Sequence, residues 1–346
     1  MSVSVVIRTK DHADRLRLAL ASLRVEANRR GMTEVVVVDD GSSDHTAEVL
    51  AEAASDLPLV VVTHAEARGR SAASNAGAAA ASGATLLFLD GDVLAAPGMI
   101  ARHAEAHAGD AHVVARGEGF HLRCTRFLLD PEHATPRPGE EARIARLPAH
   151  ERERLRVTLA QVRDDFASIE RRAEPAIYPG VGPRRLYELE MGALRNHPDS
   201  KALWIAASGH NLSVRRAEFL EVGGFDLAHD LVEQRELALR LCNRGARMIA
   251  IDGARSFHLT HRVGWRDPLA SADWEARLRA RHPIPEVELL AVLWASLADV
   301  DRIPREAKLE SFEAFERAAR GETSVDYEAV RRALWRARGS EPQARA

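Results

Sequence analysis

The chain has 346 residues, 46% apolar and 29% charged, the values of a globular protein long enough for one large or two ordinary domains. Lys and Arg number 48 against 51 Asp and Glu, and the net charge of −3 leaves no global electrostatic case for nucleic acid or a membrane surface as partner. Cys124 and Cys242 support neither a disulfide framework nor a thiolate zinc site; with no leader pattern after Met1 and no apolar run of about 18 residues, the expectation is a cytoplasmic protein without an integral membrane segment.

Residues 3–7 are a β-branched run that reads as a strand, and residues 14–23 place Leu16, Leu20 and Leu23 at helical spacing. A second strand over 34–38 runs into Asp39-Asp40-Gly41-Ser42-Ser43-Asp44, where Ser43 or Asp44 can cap a helix over 46–54. Residues 59–62 make a third strand, the alanine-rich 72–81 a helix able to pack close to a sheet, and 85–89 a fourth strand that ends in Asp90-Gly91-Asp92. Strands apolar on consecutive positions and separated by helices argue for a parallel sheet covered on both faces, with ligands at the carboxyl ends of its strands. Thr9, Asp39, Asp40, Asp90 and Asp92 fall at such ends. Two carboxylates one residue apart need a counter-charge, which Mg²⁺ or Mn²⁺ supplies as a hard cation shared with substrate phosphates.

Residues 126–200 change character. Charges of alternating sign surround Leu147, Leu155, Leu159, Val162, Phe166 and Ile169, an amphipathic helical pattern with a solvated outer face. Pro131, Pro136 and Pro138 before it, and Pro175, Pro179, Gly180, Gly182 and Pro183 after it, mark loops, so this segment with Arg184, Arg185 and Tyr187 is expected to lid a site or shape a pocket. After a short strand over 248–251 come His258 and His261, and beyond Trp265 helices carry Trp274, Leu289, Leu293, Trp294, Phe312, Phe315 and Trp335. That apolar set serves packing, or a homodimer through the C-terminal helices. Residues 339–346 read as a frayed end.

Four pieces in order, Val-Val-Ile-Arg-Thr (5–9), Val-Val-Asp-Asp-Gly-Ser-Ser-Asp (37–44), Arg-Gly-Arg-Ser-Ala-Ala-Ser-Asn-Ala-Gly (68–77) and Phe-Leu-Asp-Gly-Asp (88–92), resemble family 2 glycosyltransferases of the GT-A fold. A Rossmann dehydrogenase would carry Gly-x-Gly-x-x-Gly directly after its first strand, and residues 4–13 contain no glycine. The resemblance implies an α/β fold with a mixed, mainly parallel sheet and helices on both faces. It divides the chain into a donor half (1–125), a helical insertion (126–200), an acceptor half (201–268) and a helical extension (269–346). It implies an inverting transfer of sugar from a nucleoside diphosphate, of UDP or TDP type, to an acceptor nucleophile, with Mn²⁺ or Mg²⁺ as cofactor; the lack of an apolar run long enough to span a membrane makes a soluble small molecule or peptide the expected acceptor.

The same resemblance assigns residues. Thr9 and Asp40 hold the base, with Asp39, Asn75 and Gly91 also lining the nucleotide-sugar site, and Arg68 or Arg70, with Arg70 preferred, reaches the diphosphate. Asp92 with Asp90 carries the metal, completed by His258 or, as alternate, His261. Gly209, His210 and Asn211 belong to the acceptor side, ahead of Gly223-Gly224-Phe225-Asp226. The pattern departs at Gln234, which stands where the family has its base aspartate; an amide cannot accept a proton from a hydroxyl. Glu233 or Asp230 can take that part, or the acceptor ionises readily by itself. The departure also opens a second reading, a catalytically silent nucleotide-sugar-binding scaffold, and a nucleotidyltransferase of related architecture is a third.

Overall fold

Strand β1 (Val3–Thr9) is a central strand with neighbours on both edges: Val5 pairs in parallel with Val35 of β2 (Met32–Asp39) and with Leu87 of β4 (Thr85–Asp90). β3 (Leu59–Thr63) adds to the outer edge of β2. Beyond β4 the sheet becomes mixed. The short β10 (Leu212–Arg215) lies antiparallel between β4 and β6 (Val113–Leu122), β11 (Arg247–Leu259) runs parallel to β6, and β5 (Val93–Ala95) pairs antiparallel with the end of β11. The order is β3-β2-β1-β4-β10-β6-β11-β5, with a two-residue strand, β9 (Glu174–Pro175), against β6. The computed structural model describes residues 2–25, 28, 30–109, 112–175, 183–261, 267–298 and 303–339, with 183–185 described by backbone alone.

Alternate residues of β1 feed two cores, as the two-residue period of a strand requires. Val5 and Ile7 meet Leu16, Leu20 and Leu23 of helix α1 (Ala13–Arg24) on one face. Val6 belongs to the other, where helix α3 (Arg70–Ala80) packs. The small residues of α3 serve close approach: a Cβ on Gly77 would stand 2.5 Å from Val6 Cγ1. Helix α2 (Thr46–Ala53) lies beside α1, and α4 (Met99–Ala106) beside β11.

The tail is packing. Trp274, Leu289, Leu293, Trp294, Phe312, Phe315 and Trp335 are buried in the same cluster as Val6 and Phe88, and the Trp274 and Trp294 rings lie 4.9 Å apart. They sit on helices α12 (Asp273–Arg281), α13 (Pro285–Leu297), α14 (Phe312–Ala319) and α15 (Tyr327–Ala337). The insertion is more broken than its charge pattern implied. It forms a hairpin of β7 (Leu128–Asp130) and β8 (Thr135–Pro136), then helices α5 (Glu141–Ala145), α6 (Ala149–Leu155), α7 (Leu159–Asp164) and α8 (Phe166–Glu170). Local caps break the run: Thr158 and Gln161 form a capping box, and Asp165 caps α8. Val162, Phe166 and Ile169 are buried against Leu18 and Phe257, whereas α6 buries nothing. Of the expected lid residues, Pro179, Gly180 and Gly182 and the side chains of Pro183, Arg184 and Arg185 lie outside the described residues, and Tyr187 is buried on helix α9 (Pro183–Asn196). Among the described residues no helix is long and apolar enough to cross a membrane.

Candidate functional site

At the carboxyl ends of β1, β2 and β4 the backbone turns away from the sheet, and a cleft of about 490 Å³ opens there. It is lined by Thr9, Asp40, Arg70, Asp230, Asp92, His258 and His261. Gly91 makes the approach possible, because a Cβ there would meet Thr9 Oγ1 at 2.9 Å and the Arg8 carbonyl oxygen at 3.1 Å. Helix α1 begins just beyond, held by Asp44, which accepts from the Ala13 amide at 2.9 Å. Asp11, at φ 54°, accepts from the Ser43 amide at 2.7 Å and so latches the loop after β1 to the loop after β2.

Asp92 is the centre of the charged end. Its side chain is buried, Oδ2 stands 2.5 Å from His261 Nε2 and 3.3 Å from His258 Nε2, and Oδ1 has no partner among the described residues. Both imidazoles reach it because β11 runs antiparallel to β5, with His258 opposite Val93 and the Leu259 amide donating to the Asp92 carbonyl at 2.8 Å. Burial pushes the Asp92 carboxyl up, but the charge and hydrogen bonds of His258 and His261 overcome it and hold it well below the usual range. Burial likewise lowers His258, and the Asp92 carboxylate reverses the sign, leaving this imidazole raised. Other rings extend the string: His12 lies 4.5 Å from His261, and His121 4.8 Å from His258. Burial and the neighbouring His261 depress His12 to about 4, so it is neutral at pH 7. One ligand atom each from Asp92, His258 and His261 fall within 4.8 Å of one another, a donor set of two nitrogens and one oxygen with an unused carboxylate oxygen beside it.

Asp90 has a different partner. Its Oδ1 is 2.9 Å from Arg8 Nη2, while Arg8 Nη1 reaches Glu233 Oε1 at 3.2 Å. Burial pulls the Arg8 guanidinium down, and Asp90, Glu233 and Asp230 more than restore it. Arg8 therefore ties the Asp90 strand end to the start of helix α11 (Glu233–Asn243), which follows the short helix α10 (Arg216–Glu221). Arg8 lies outside the sequence candidates, and the signal it offers is one arginine in a mostly apolar strand, a position that needs a charge partner. Glu233 is 1% exposed, so Arg8→Met leaves a buried carboxylate without its cation. The expected cost is about 3–5 kcal/mol, read from urea denaturation, with Arg8→Lys intermediate because it keeps charge but loses the two-pronged contact.

The remaining sequence candidates divide between cleft and framework. Asp40 lines the cleft and accepts from the Arg68 amide at 2.9 Å and the Gly69 amide at 3.0 Å, with His64 Nδ1 at 2.6 Å. Burial pushes its carboxyl up, and those three bonds outweigh it, holding Asp40 below the usual range. Thr9 Oγ1 is buried and has no partner among the described residues. Of the two arginines, Arg70 lines the cleft and Arg68 contributes its backbone amide to Asp40.

Asp39 caps the Ser42 amide at 2.9 Å. Asn75 is spent on Phe225, donating to its carbonyl and accepting from its amide at 2.8 Å each, which ties α3 to the loop before α11. On the acceptor side, Asn211 is a framework residue. It is 2% exposed, its amide nitrogen donates to the carbonyls of Ala254 and Glu118, and its Oδ1 pairs with His103 Nε2, so nothing is left for a ligand. The His210 ring packs over Gly119, and Gly209 against the Gln234 amide. Of the two base candidates, Asp230 lines the cleft beside Gly69, whereas Glu233 lies behind it with Oε1 shared by Arg8 and Gln234 Nε2.

Residues 4–165 match the sequence model of glycosyl transferase family 2. The uncharacterized glycosyltransferase YfnE of Bacillus subtilis is 34% identical over 117 residues, a stretch that takes in 34% of this chain and 30% of that protein. S. aureus TarS 1–349, in complex with UDP-GlcNAc, superposes with a TM-score of 0.53 at 15% identity, covering 98% of this chain and 93% of that one. The mannosyltransferase PcManGT from Pyrobaculum calidifontis, in complex with GDP-Man and Mn²⁺, gives 0.50 at 16% identity, covering 96% of this chain and 84% of that one. At these identities the likeness is one of fold.

Proposed function

We propose, from the premise that residues 4–165 of this chain belong to glycosyl transferase family 2, that the protein transfers a sugar from a nucleoside diphosphate to an acceptor nucleophile with inversion. The observation that carries the reading is that the Asp92–His258–His261 group lines the same cleft as Thr9 and Asp40. Both fold neighbours described above are held with a nucleotide-sugar, and one with Mn²⁺. Here Thr9 and Asp40 take the base, where a carboxylate accepts an imide N–H of uracil or thymine, and Arg70 faces the diphosphate. Asp92, His258 and His261 hold a divalent cation. When bound it offsets charge on the departing diphosphate.

Asp230 accepts the proton of the acceptor hydroxyl as that oxygen bonds to the anomeric carbon and the bond to the diphosphate breaks on the opposite side, which inverts the centre. A soluble small molecule or peptide is the proposed acceptor. Asp90 is taken up by Arg8, so two imidazoles dominate the metal set, and nitrogen ligands favour Mn²⁺ over Mg²⁺.

A thermal-shift screen against nucleoside diphosphates and nucleotide-sugars, with and without Mn²⁺ or Mg²⁺, tests the donor site. A ligand at 100 times its Kd stabilises by about 2.7 kcal/mol, so a uridine or thymidine diphosphate with Mn²⁺ is expected to raise the Tm by several degrees. No shift with any nucleotide would remove the donor site. The raised His258 pKa gives the metal a pH dependence. A cation must displace the His258 proton, so Mn²⁺ affinity is expected to fall up to about tenfold per pH unit below that pKa and to level off above it. Mn²⁺ titration followed by electron paramagnetic resonance reads this directly, and an affinity independent of pH would place the metal elsewhere.

Gln234 favours one other reading, a nucleotide-sugar-binding scaffold without transfer. Slow metal-dependent hydrolysis of the donor separates the two, since a competent site transfers some sugar to water and a scaffold does not.

A further inference from the structure

Resting on the donor-site reading above, we propose that His64 is a positioning residue for base recognition: it holds Asp40 so that one carboxylate position is left for an N–H of the base, and thereby selects uracil over cytosine. His64 follows β3, and its amide donates to the Asp39 carbonyl at 2.9 Å, which carries the β2–β3 pairing one step past Thr63 and Asp39. Its Nδ1 then lies 2.6 Å from Asp40 Oδ1, with the two side chains 7% and 10% exposed. A carboxylate in this contact accepts, so Nδ1 carries the proton.

One short loop claims Asp40 from behind. His64, the Arg68 amide and the Gly69 amide donate to it at 2.6, 2.9 and 3.0 Å. The loop is seated on Gly41, where a Cβ would stand 2.8 Å from the Ala67 nitrogen. Oδ1 accepts from His64 and Arg68 and Oδ2 from Gly69, so of about four acceptor positions on a carboxylate one remains, on Oδ2. Asp40 lines the cleft and His64 is not among the cleft residues, so the imidazole acts through the carboxylate and not on a ligand. Side chains that bind are held to within about 0.5 Å by such supporting hydrogen bonds. Burial pushes the Asp40 carboxyl up, and the His64 bond is the largest of those that bring it down, so the imidazole also keeps this acceptor charged. Uracil presents an N3–H donor to it, whereas cytosine presents a bare N3 lone pair that a carboxylate repels.

The test is isothermal titration of UDP and of CDP, in saturating Mn²⁺, into the wild-type chain and its variants. The two nucleotides share ribose and diphosphate, so the ratio of their affinities isolates the base. UDP is expected to bind the wild type about 100-fold tighter, and His64→Leu to cut that ratio about tenfold, the scale of one hydrogen bond to a charged group. His64→Asn is expected to restore it, because its amide nitrogen stands where the imidazole Nδ1 does. Two backbone amides still hold the loop on Asp40 in both variants, so both are expected to fold, which circular dichroism checks. Asp40→Asn tells the two readings apart. If it abolishes the ratio while His64→Leu keeps the wild-type value, or if His64→Asn loses as much as His64→Leu, the role of His64 is overturned and the donor site stands. If the wild type binds neither nucleotide or both alike, or if Asp40→Asn leaves the ratio unchanged, recognition of the base by Asp40 falls and this role of His64 falls with it.

Discussion

Asp92→Asn is expected to cut metal-dependent transfer by about 100-fold or more while leaving the fold in place. A cation beside the departing diphosphate supplies several kcal/mol of charge stabilisation, and about 2.7 kcal/mol already corresponds to a hundredfold in rate. Asparagine has the same shape and keeps a hydrogen-bonding oxygen for His261, now 2.5 Å from the carboxylate, so the packing of β5 against β11 survives. What disappears is the negative charge. His258, raised by that charge, then returns toward the low pKa its burial imposes, and the group offers two neutral imidazoles without an anionic ligand. Isothermal titration with Mn²⁺ and a rate at saturating donor measure both effects; an Asp92→Asn protein with full rate and full Mn²⁺ affinity would remove the metal from this group.

Asp230→Asn is expected to lower kcat by about 10²–10⁴-fold with donor binding intact, the range for loss of a positioned general base. Thr9 and Asp40 keep their own contacts, since Asp40 is held by the backbone amides of Arg68 and Gly69 and by His64. Glu233→Gln makes the contrast. Glu233 is 1% exposed and its Oε1 is already shared between Arg8 and Gln234, so the substitution is expected to loosen the Arg8 bridge and lower stability more than it lowers transfer. If Glu233→Gln abolishes transfer and Asp230→Asn retains it, the roles are reversed.

Much of this architecture was legible in the chain itself. Runs of consecutive valines and leucines at 35–38 and 86–89 mark strands covered on both faces, and the β–α alternation that separates them implies the parallel order seen for β3-β2-β1-β4. Because a strand's end is where side chains leave a core, Thr9, Asp40 and Asp92 were placed at a cleft by position alone. The amphipathic pattern of the insertion did not carry its breaks, which come from caps at Thr158 and Asp165 that outcompete a continuous helix.

Local sequence thus determined the strands, their small-residue helices and the carboxylates at the strand ends, because hydrophobic period and turn chemistry act over a few residues. Only the tertiary structure decided the partners. Asn75 and Asn211 look like ligand-binding amides in sequence, but each sits where two segments distant in the chain expose backbone groups that need satisfying, at Phe225 and at Ala254. His258 and His261 read as alternatives, and the β5–β11 register brings both to one oxygen of Asp92. Arg8 and Glu233 are 225 positions apart, and their ion pair exists because the sheet sets the end of β1 against the start of α11. Charge pairing depends on distance in space, and that distance is set by packing.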